Sequence, residues 1–316
     1  MTRRPPRPEP QTAGAVLMVR PTAFGPNAET EASNAFQTRD AALDGIAERA
    51  LTEFDSAVAA LSDAGIDVHV APGRAEGDCP DEIFPNNWVS FHADGSVVLY
   101  PMLAVNRRRE RRAEIVASLA RSANFQVTRT IDLSGYERDG RFLEGTGSLV
   151  LDRTARTAYA GISPRTDPGV LAAFAAQLGY ETHLFATRDH DGQPVYHTNV
   201  VMSLGTRFAV VCLDALVDTG ARRTLRERLT QSDRDVIEID LDQMHGFAAN
   251  ILELDGRDGP VIALSTTAYQ GLARAQRDAL SRHGRLVTAA IPTIETVGGG
   301  GLRCMLAEIH RPPATI

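Results

Sequence analysis

The chain has 316 residues, 43% of them hydrophobic and 23% charged, the balance of a globular protein long enough to bury a sizeable core. Its net charge of −7 argues against nucleic acid as a partner. No window reaches the roughly 18 apolar residues that span a bilayer, so no membrane association is expected.

The first residues, MTRRPPRPEPQTA, are basic and proline-rich without an apolar centre, so they do not read as a secretory signal. Residues 1–13 are expected to form a disordered tail, leaving 14–316 as a single domain. AVLMVR then reads as a strand. A helix follows from about Ala41 to Asp63, apolar at Leu43, Ile46, Ala50, Phe54, Val58 and Leu61 with helical spacing, and Gly65 caps it. IDVHVA is the next strand.

NNWVSFH and SVVLYP are separated by a turn at Ala93-Asp94-Gly95 and read as a hairpin. The basic run from Arg107 to Arg112 opens a helical pattern that continues to Leu119, and is taken as a solvated helix face. FQVTRTI closes this group. GSLVLD, TAYAGI, a helix and ETHLFA come next, with Asp167 as N-cap, Pro168 at the first helical position and Gly179 at the end. NVVMSLG, RFAVVCL, a helix carrying Leu225 and Leu229, and DVIEIDL repeat the order. So do NILELDG, PVIALS, a helix carrying Tyr269, Leu272 and Leu280, and RLVTAAI.

The recurring unit is strand, strand, helix, strand, with a period of about 50–60 residues. Four copies are contiguous. The fifth is split: RCMLAEI near the C-terminus supplies its first strand and AVLMVR its second. Splitting one unit between the ends is how a ring closes without exposed edges. The fold class expected is therefore α/β, a five-bladed α/β propeller of ββαβ repeats. A two-domain α/β enzyme is the competing view, but no linker divides the chain.

In a ring, the residues just before each first strand converge on the axis. They are FPNN (Asn86, Asn87), FLEGTG (Glu144), YHTN (His197, Asn199), GFAAN (Asn250) and GGLRC (Cys304). A thiol, an imidazole and a carboxylate at corresponding positions of three repeats make a nucleophile, a proton carrier and its partner. A lone cysteine at a strand start is ordinarily a small buried hydrophobe, and Cys79 and Cys212 are given that role. His69, His92, His183, His190, His245, His283 and His310 are expected to be surface residues. Three scattered cysteines without metal spacing suit a reducing cytoplasm, and no metal or organic cofactor is called for. Gly298 to Gly301 precede Cys304, where unusually free backbone could approach a ligand beside the sulfur.

FLEGTGSLVLD, YAGISPRTD, HTNVVMSLG and GGGGLRCMLAEI together resemble the pentein superfamily of arginine deiminases, dimethylarginine hydrolases and amidinotransferases. The FPNNW element is most similar to the citrulline-utilization hydrolase (CtlX) type, usually labelled amidinotransferase-like. The resemblance runs from about Gly14 to His310. It implies the same propeller, with Cys304 as nucleophile, His197 as general acid/base and Glu144 beside them. Arg165 matches an arginine that holds the substrate's α-carboxylate, and Asn86, Gly300 and Gly301 fall with the substrate contacts.

Deiminases carry aspartates where this chain has Asn87 and Asn199. Asparagine offers a donor and an acceptor but no negative charge, which favours a neutral ureido substrate such as citrulline over a cationic guanidinium. The expected activity is hydrolysis of citrulline to ornithine through an S-carbamoyl intermediate. The alternatives are a guanidino-directed deiminase, dimethylarginine hydrolase or amidinotransferase, and a non-catalytic binding protein on the same scaffold. The expected partner is a small amino-acid substrate, and a homodimer stays open.

Overall fold

The computed structural model describes residues 9–31, 33–37 and 44–311. Residues 1–8, most of the expected tail, lie outside it, as does the expected helix start at Ala41–Leu43.

Among the described residues, fifteen strands form five separate three-stranded sheets, each ordered as the repeat requires. The split unit pairs β1 (Ala15–Arg20) in parallel with β2 (Asp67–Pro72) and antiparallel with β15 (Ala307–Glu308), with Val16 opposite Glu308. The contiguous units are β3 (Val89–Phe91), β4 (Ser96–Leu99) and β5 (Arg129–Asp132); β6 (Val150–Asp152), β7 (Thr157–Ile162) and β8 (Glu181–Ala186); β9 (Met202–Leu204), β10 (Phe208–Val211) and β11 (Asp235–Glu238); and β12 (Leu252–Gly256), β13 (Gly259–Ser265) and β14 (Arg285–Ala289). In every unit the first two strands are antiparallel and the last two parallel. A parallel return needs a crossover, and a helix supplies it.

Those helices are α1 (Ile46–Asp63), α2 (Ala113–Ser122), α3 (Pro168–Leu178), α4 (Thr219–Gln231) and α5 (Arg274–Ser281). Asp167 caps α3 by accepting from the Gly169 and Val170 amides, and Gly179 closes it with φ +73. α1 buries Ile46, Ala50, Phe54, Ala57 and Leu61 along one stripe, in one core with Val16 and Met18 of β1. Each such large side chain contributes about 1.5–3 kcal/mol by leaving water. The fifth helix departs from expectation: Tyr269 belongs to a separate short turn, Thr266–Gly271, and α5 begins only at Arg274.

Three further expectations are corrected. The first strand of four units is shorter than the apolar run suggests, because its opening residues form a single helical turn: Pro85–Asn87, Gly145–Ser148, Thr198–Val201 and Leu302–Met305. Residues 9–13 are packed: Glu9 is 4% exposed and accepts from the Ala93 amide at 2.6 Å, while Gln11 donates to the Leu151 and Leu204 carbonyls. Glu9 also lies 3.3 Å from buried Arg153, which is why a carboxylate so near the N-terminus goes inward. His92 and His310 are likewise buried, facing Glu9 and Glu308. Among the described residues no helix is long and apolar enough to cross a membrane.

Candidate active site

The short turns at the strand mouths bring distant residues to one cavity. Glu144 precedes the turn Gly145–Ser148, its amide held by the Arg165 carbonyl at 3.2 Å and the Ser148 hydroxyl at 3.0 Å. Gly145 takes φ +48, and a Cβ there would run into the Asn86 carbonyl. A Cβ on Gly147 would stand 2.6 Å from Asn87 Nδ2 and 2.7 Å from His197 Nδ1. Glycine at both positions lets three units meet. The Thr198 hydroxyl donates to the Ser148 carbonyl at 2.6 Å and accepts from the Gly161 amide, fixing His197 next to it.

His197 Nε2 and Glu144 Oε2 are 2.9 Å apart, and both side chains are buried. A carboxylate only accepts, so Nε2 carries the hydrogen and Nδ1 keeps the lone pair. Burial pushes His197 down to about 4 against the pull of Glu144, with Arg165 and Arg107 adding to the depression. Burial alone would raise Glu144, but Arg165 at 3.3 Å, the His197 hydrogen bond and Arg107 at 3.8 Å hold it well below the usual carboxylate range. Its other oxygen accepts from the Leu103 amide at 3.0 Å. At neutral pH the pair is a carboxylate and a neutral imidazole.

Cys304 is 3% exposed in the turn Leu302–Met305, its amide donating to the Gly301 carbonyl at 3.0 Å. Burial pushes its thiol up, opposed by amide donors from Asn250 and Asn199 at 3.3 and 3.4 Å. Cys304, His197, Asn87, Arg107, Arg165 and Asp81 line one small, partly open cavity. Phe84, Tyr196, Asn34 and Gly298 to Gly300 complete its wall.

The glycine run is explained by its neighbours. A Cβ on Gly298 would meet Phe84 at 2.8 Å, one on Gly299 would meet Asn34 at 2.6 Å, and one on Gly301 would meet Asn250 Oδ1 at 2.7 Å. Gly299 also adopts φ +63. Its carbonyl accepts from the Tyr196 hydroxyl at 2.5 Å and from Asn34 at 3.3 Å.

The expected substrate contacts divide. Asn87, Gly300 and Arg165 line the cavity; Asn86, Asn199 and Gly301 do not. Asn86 is fully buried and accepts from Asn87 Nδ2 at 3.0 Å. Asn199 turns its Nδ2 to the sulfur and leaves its buried Oδ1 without a protein partner, and Gly301 packs on Asn250. Arg165 is engaged on several sides: Glu144, the Ser33 hydroxyl at 2.8 Å, the Thr30 carbonyl, and the Tyr196 ring 5.2 Å beneath it.

Arg107 escaped the sequence reading. It is 2% exposed rather than part of a solvated face, and it belongs to a separate turn, Asn106–Glu110, ahead of α2. Its fork pairs with Glu110 at 2.8 and 2.9 Å, and Nη1 donates to Asn87 Oδ1 at 2.9 Å. Burial raises Glu110 to about 7 despite that pairing, with Asp81 and Glu144 adding to the rise. Asp81 was missed as well. Its Oδ2 accepts from Asn27 at 2.8 Å and Thr30 at 3.2 Å, while Oδ1 has no protein partner. The signal available in the sequence was spacing, since Arg107 and Glu110 stand three apart in a run otherwise free of apolar residues.

The structure is similar to the N-terminal domain of ArgZ, an arginine dihydrolase from the ornithine-ammonia cycle in cyanobacteria, solved as a cysteine-to-serine mutant with substrate bound: TM-score 0.73, 17% identity, 94% of this chain and 98% of that one. Unliganded AgrE matches with TM-score 0.73 and 18% identity over 94% of this chain and 39% of that longer one. A dimethylarginine dimethylaminohydrolase mutant carrying an S-methyl-L-thiocitrulline adduct gives TM-score 0.65 and 14% identity over 94% and 99%. No curated protein sequence matches. A family model described as "N,N dimethylarginine dimethylhydrolase, eukaryotic" matches residues 20–311. The chain belongs to this dimethylarginine dimethylhydrolase family, and with it to the pentein superfamily.

Proposed function

We propose that this protein is a cysteine-dependent hydrolase of an arginine-related amino acid, and that its substrate carries a ureido group, with citrulline converted to ornithine. The observation that carries the substrate class is the orientation of Asn87. Arg107 has only donors, so Asn87 must turn its carbonyl toward it. One hydrogen of the Asn87 amide goes to Asn86, which leaves the other N–H for the cavity. A ureido carbonyl accepts that hydrogen; a guanidinium, with donors alone, does not. For the amino-acid head, the unpartnered Asp81 Oδ1 suits an ammonium, and Arg165, whose Nη1 keeps one hydrogen beyond that given to Glu144, suits a carboxylate.

In this reading His197 Nδ1 takes the Cys304 thiol proton and the thiolate adds to the ureido carbon. The bond to the δ-nitrogen breaks as His197 returns the proton, releasing ornithine and leaving S-carbamoyl-Cys304. Water then adds to the carbamoyl carbon, giving a proton to His197. The C–S bond breaks as His197 returns that proton to the Cys304 sulfur, and the released carbamic acid breaks down to ammonia and carbon dioxide. Glu144 steadies the imidazolium formed in both halves. The five units are read as closing into a propeller, supported by the bridge between Phe91 and Ile309 that joins two units. Three free, buried cysteines suit the cytoplasm.

A guanidino substrate is the second reading, favoured by the family match and by the likeness to ArgZ, an arginine dihydrolase. The test is mass spectrometry after incubation with equimolar citrulline, arginine and methylarginines, with Cys304→Ala as control. Ornithine formed from citrulline, absent in the control, supports the ureido reading. Consumption of arginine or a methylarginine instead overturns it in favour of the second. No turnover of any of them, with an unreactive Cys304, supports a binding protein.

A further inference from the structure

Asn250 stands at the mouth of β12, fully buried, in a position equivalent to Asn199 at the mouth of β9. Its Nδ2 has two hydrogens and two acceptors: the Asn199 carbonyl at 3.1 Å and Cys304 Sγ at 3.3 Å. The backbone carbonyl cannot donate, so the orientation of the Asn250 amide is determined. Its Oδ1 lies 3.7 Å from Sγ, within reach of the S–H hydrogen. One side chain therefore meets both states of the nucleophile, accepting from the thiol and donating to the thiolate. Asn199 Nδ2 gives the second donor, at 3.4 Å.

We propose that Asn250 is a catalytic residue which, with Asn199, forms a two-amide cradle holding the Cys304 sulfur and stabilising the thiolate as the proton leaves. This rests on Cys304 being the nucleophile. The other sources of stabilisation are smaller: Arg303 and the Gly301 backbone also favour the thiolate, but less than the two amides. Arg303, the neighbour in sequence, gives its guanidinium to Glu308 and the Leu306 carbonyl, each at 2.7 Å. His197 directs Nε2 to Glu144. A neutral ureido group brings no positive charge to draw out the thiolate, whereas a guanidinium would, so fixed amide dipoles take that part. Gly301 belongs to the same device, because any larger residue would push into Asn250 Oδ1.

The test is the pH dependence of Cys304 alkylation by iodoacetamide in the full chain, read by peptide mass spectrometry so that Cys79 and Cys212 are counted separately. Asn250→Asp keeps the shape and replaces the donor by an acceptor. It is expected to move the alkylation midpoint to higher pH and to slow alkylation near neutral pH by about tenfold or more. Asn250→Ala is expected to do the same, more weakly. Gly301→Ala, whose Cβ would press on Oδ1, shifts the amide while the residue itself is unchanged and is expected to move the midpoint the same way. An unchanged midpoint in variants that circular dichroism shows to be folded overturns the cradle. Turnover retained in Cys304→Ala overturns instead the assignment of the nucleophile, a separate failure.

Discussion

Glu144 and His197 meet at 2.9 Å with both side chains sealed from solvent, and the same carboxylate lies within 4 Å of two buried arginines. The pair holds the imidazole in one tautomer, so its basic nitrogen is Nδ1, and it offsets the charge of Arg165 and Arg107. In the proposed reaction a single carboxylate thus serves chemistry and stability together.

Glu144→Gln separates those two roles. An amide keeps the volume but removes the charge that stabilises a protonated His197. We expect kcat to fall by about 10²–10⁴, the range of general acid–base catalysis. Stability should fall by about 3 kcal/mol, because two buried guanidiniums lose a partner. Steady-state kinetics and urea unfolding check the two losses independently.

His197 gives the protein an acid-sensitive stability. Its folded pKa, about 4, lies below its ordinary 6.5. Between these values the unfolded chain holds a proton that the folded chain lacks, so stability falls as pH drops from about 6.5 towards 4. At pH 5 the loss should be about 2 kcal/mol. Comparing urea midpoints at pH 7 and pH 5 in the wild type and in His197→Gln measures this share, since the variant should show a smaller drop.

Arg107 anchors a cluster of carboxylates, and Arg107→Met should leave Glu110, Asp81 and Glu144 facing one another without their common cation. The expected cost is about 3–5 kcal/mol. Asn87 would also lose the contact that orients its amide, so KM for a ureido substrate should rise in any variant that remains folded. Chemical denaturation and KM are the measurements.

Glu9 tests whether the N-terminal segment belongs to the core. It meets Arg153 at 3.3 Å, His92 at 3.6 Å and the Tyr180 hydroxyl at 3.1 Å, all buried. Glu9→Gln should cost about 3 kcal/mol, because Arg153 keeps only Glu308, at 3.7 Å. A melting curve indistinguishable from wild type would place the segment outside the cooperative unit.

Much of this was legible in the sequence because the repeat is carried by alternating apolar runs, and a ββαβ unit can use them in only one order. The mouths followed from that order, and with them Cys304, His197 and Glu144. The exceptions share one cause. Arg107 lies in the charged run NRRRERR, whose composition reads as solvated, but its partners Asn87 and Asp81 come from about 20 residues away or more. Glu9 sits in a stretch whose composition is that of a tail, yet its partner Arg153 lies in another unit. Composition reports an average environment, and a single inward ion pair reverses it. Asn199 shows the same limit within the site: position told which residues converge, but not that its amide turns to the sulfur.

The split unit has a kinetic consequence. Val16 and Glu308 pair across 292 residues of chain (308 − 16), whereas the hairpin partners Val89 and Leu99 are ten apart (99 − 89). Contacts of such separation form slowly, because the entropy of closing the loop is lost before any contact compensates it. The turn that carries Cys304 leads directly into β15, so its full anchoring includes this distant pairing. Refolding should restore far-ultraviolet ellipticity before it restores alkylation at the native rate. The thiol would then acquire its chemistry only after the cavity that confines it is complete.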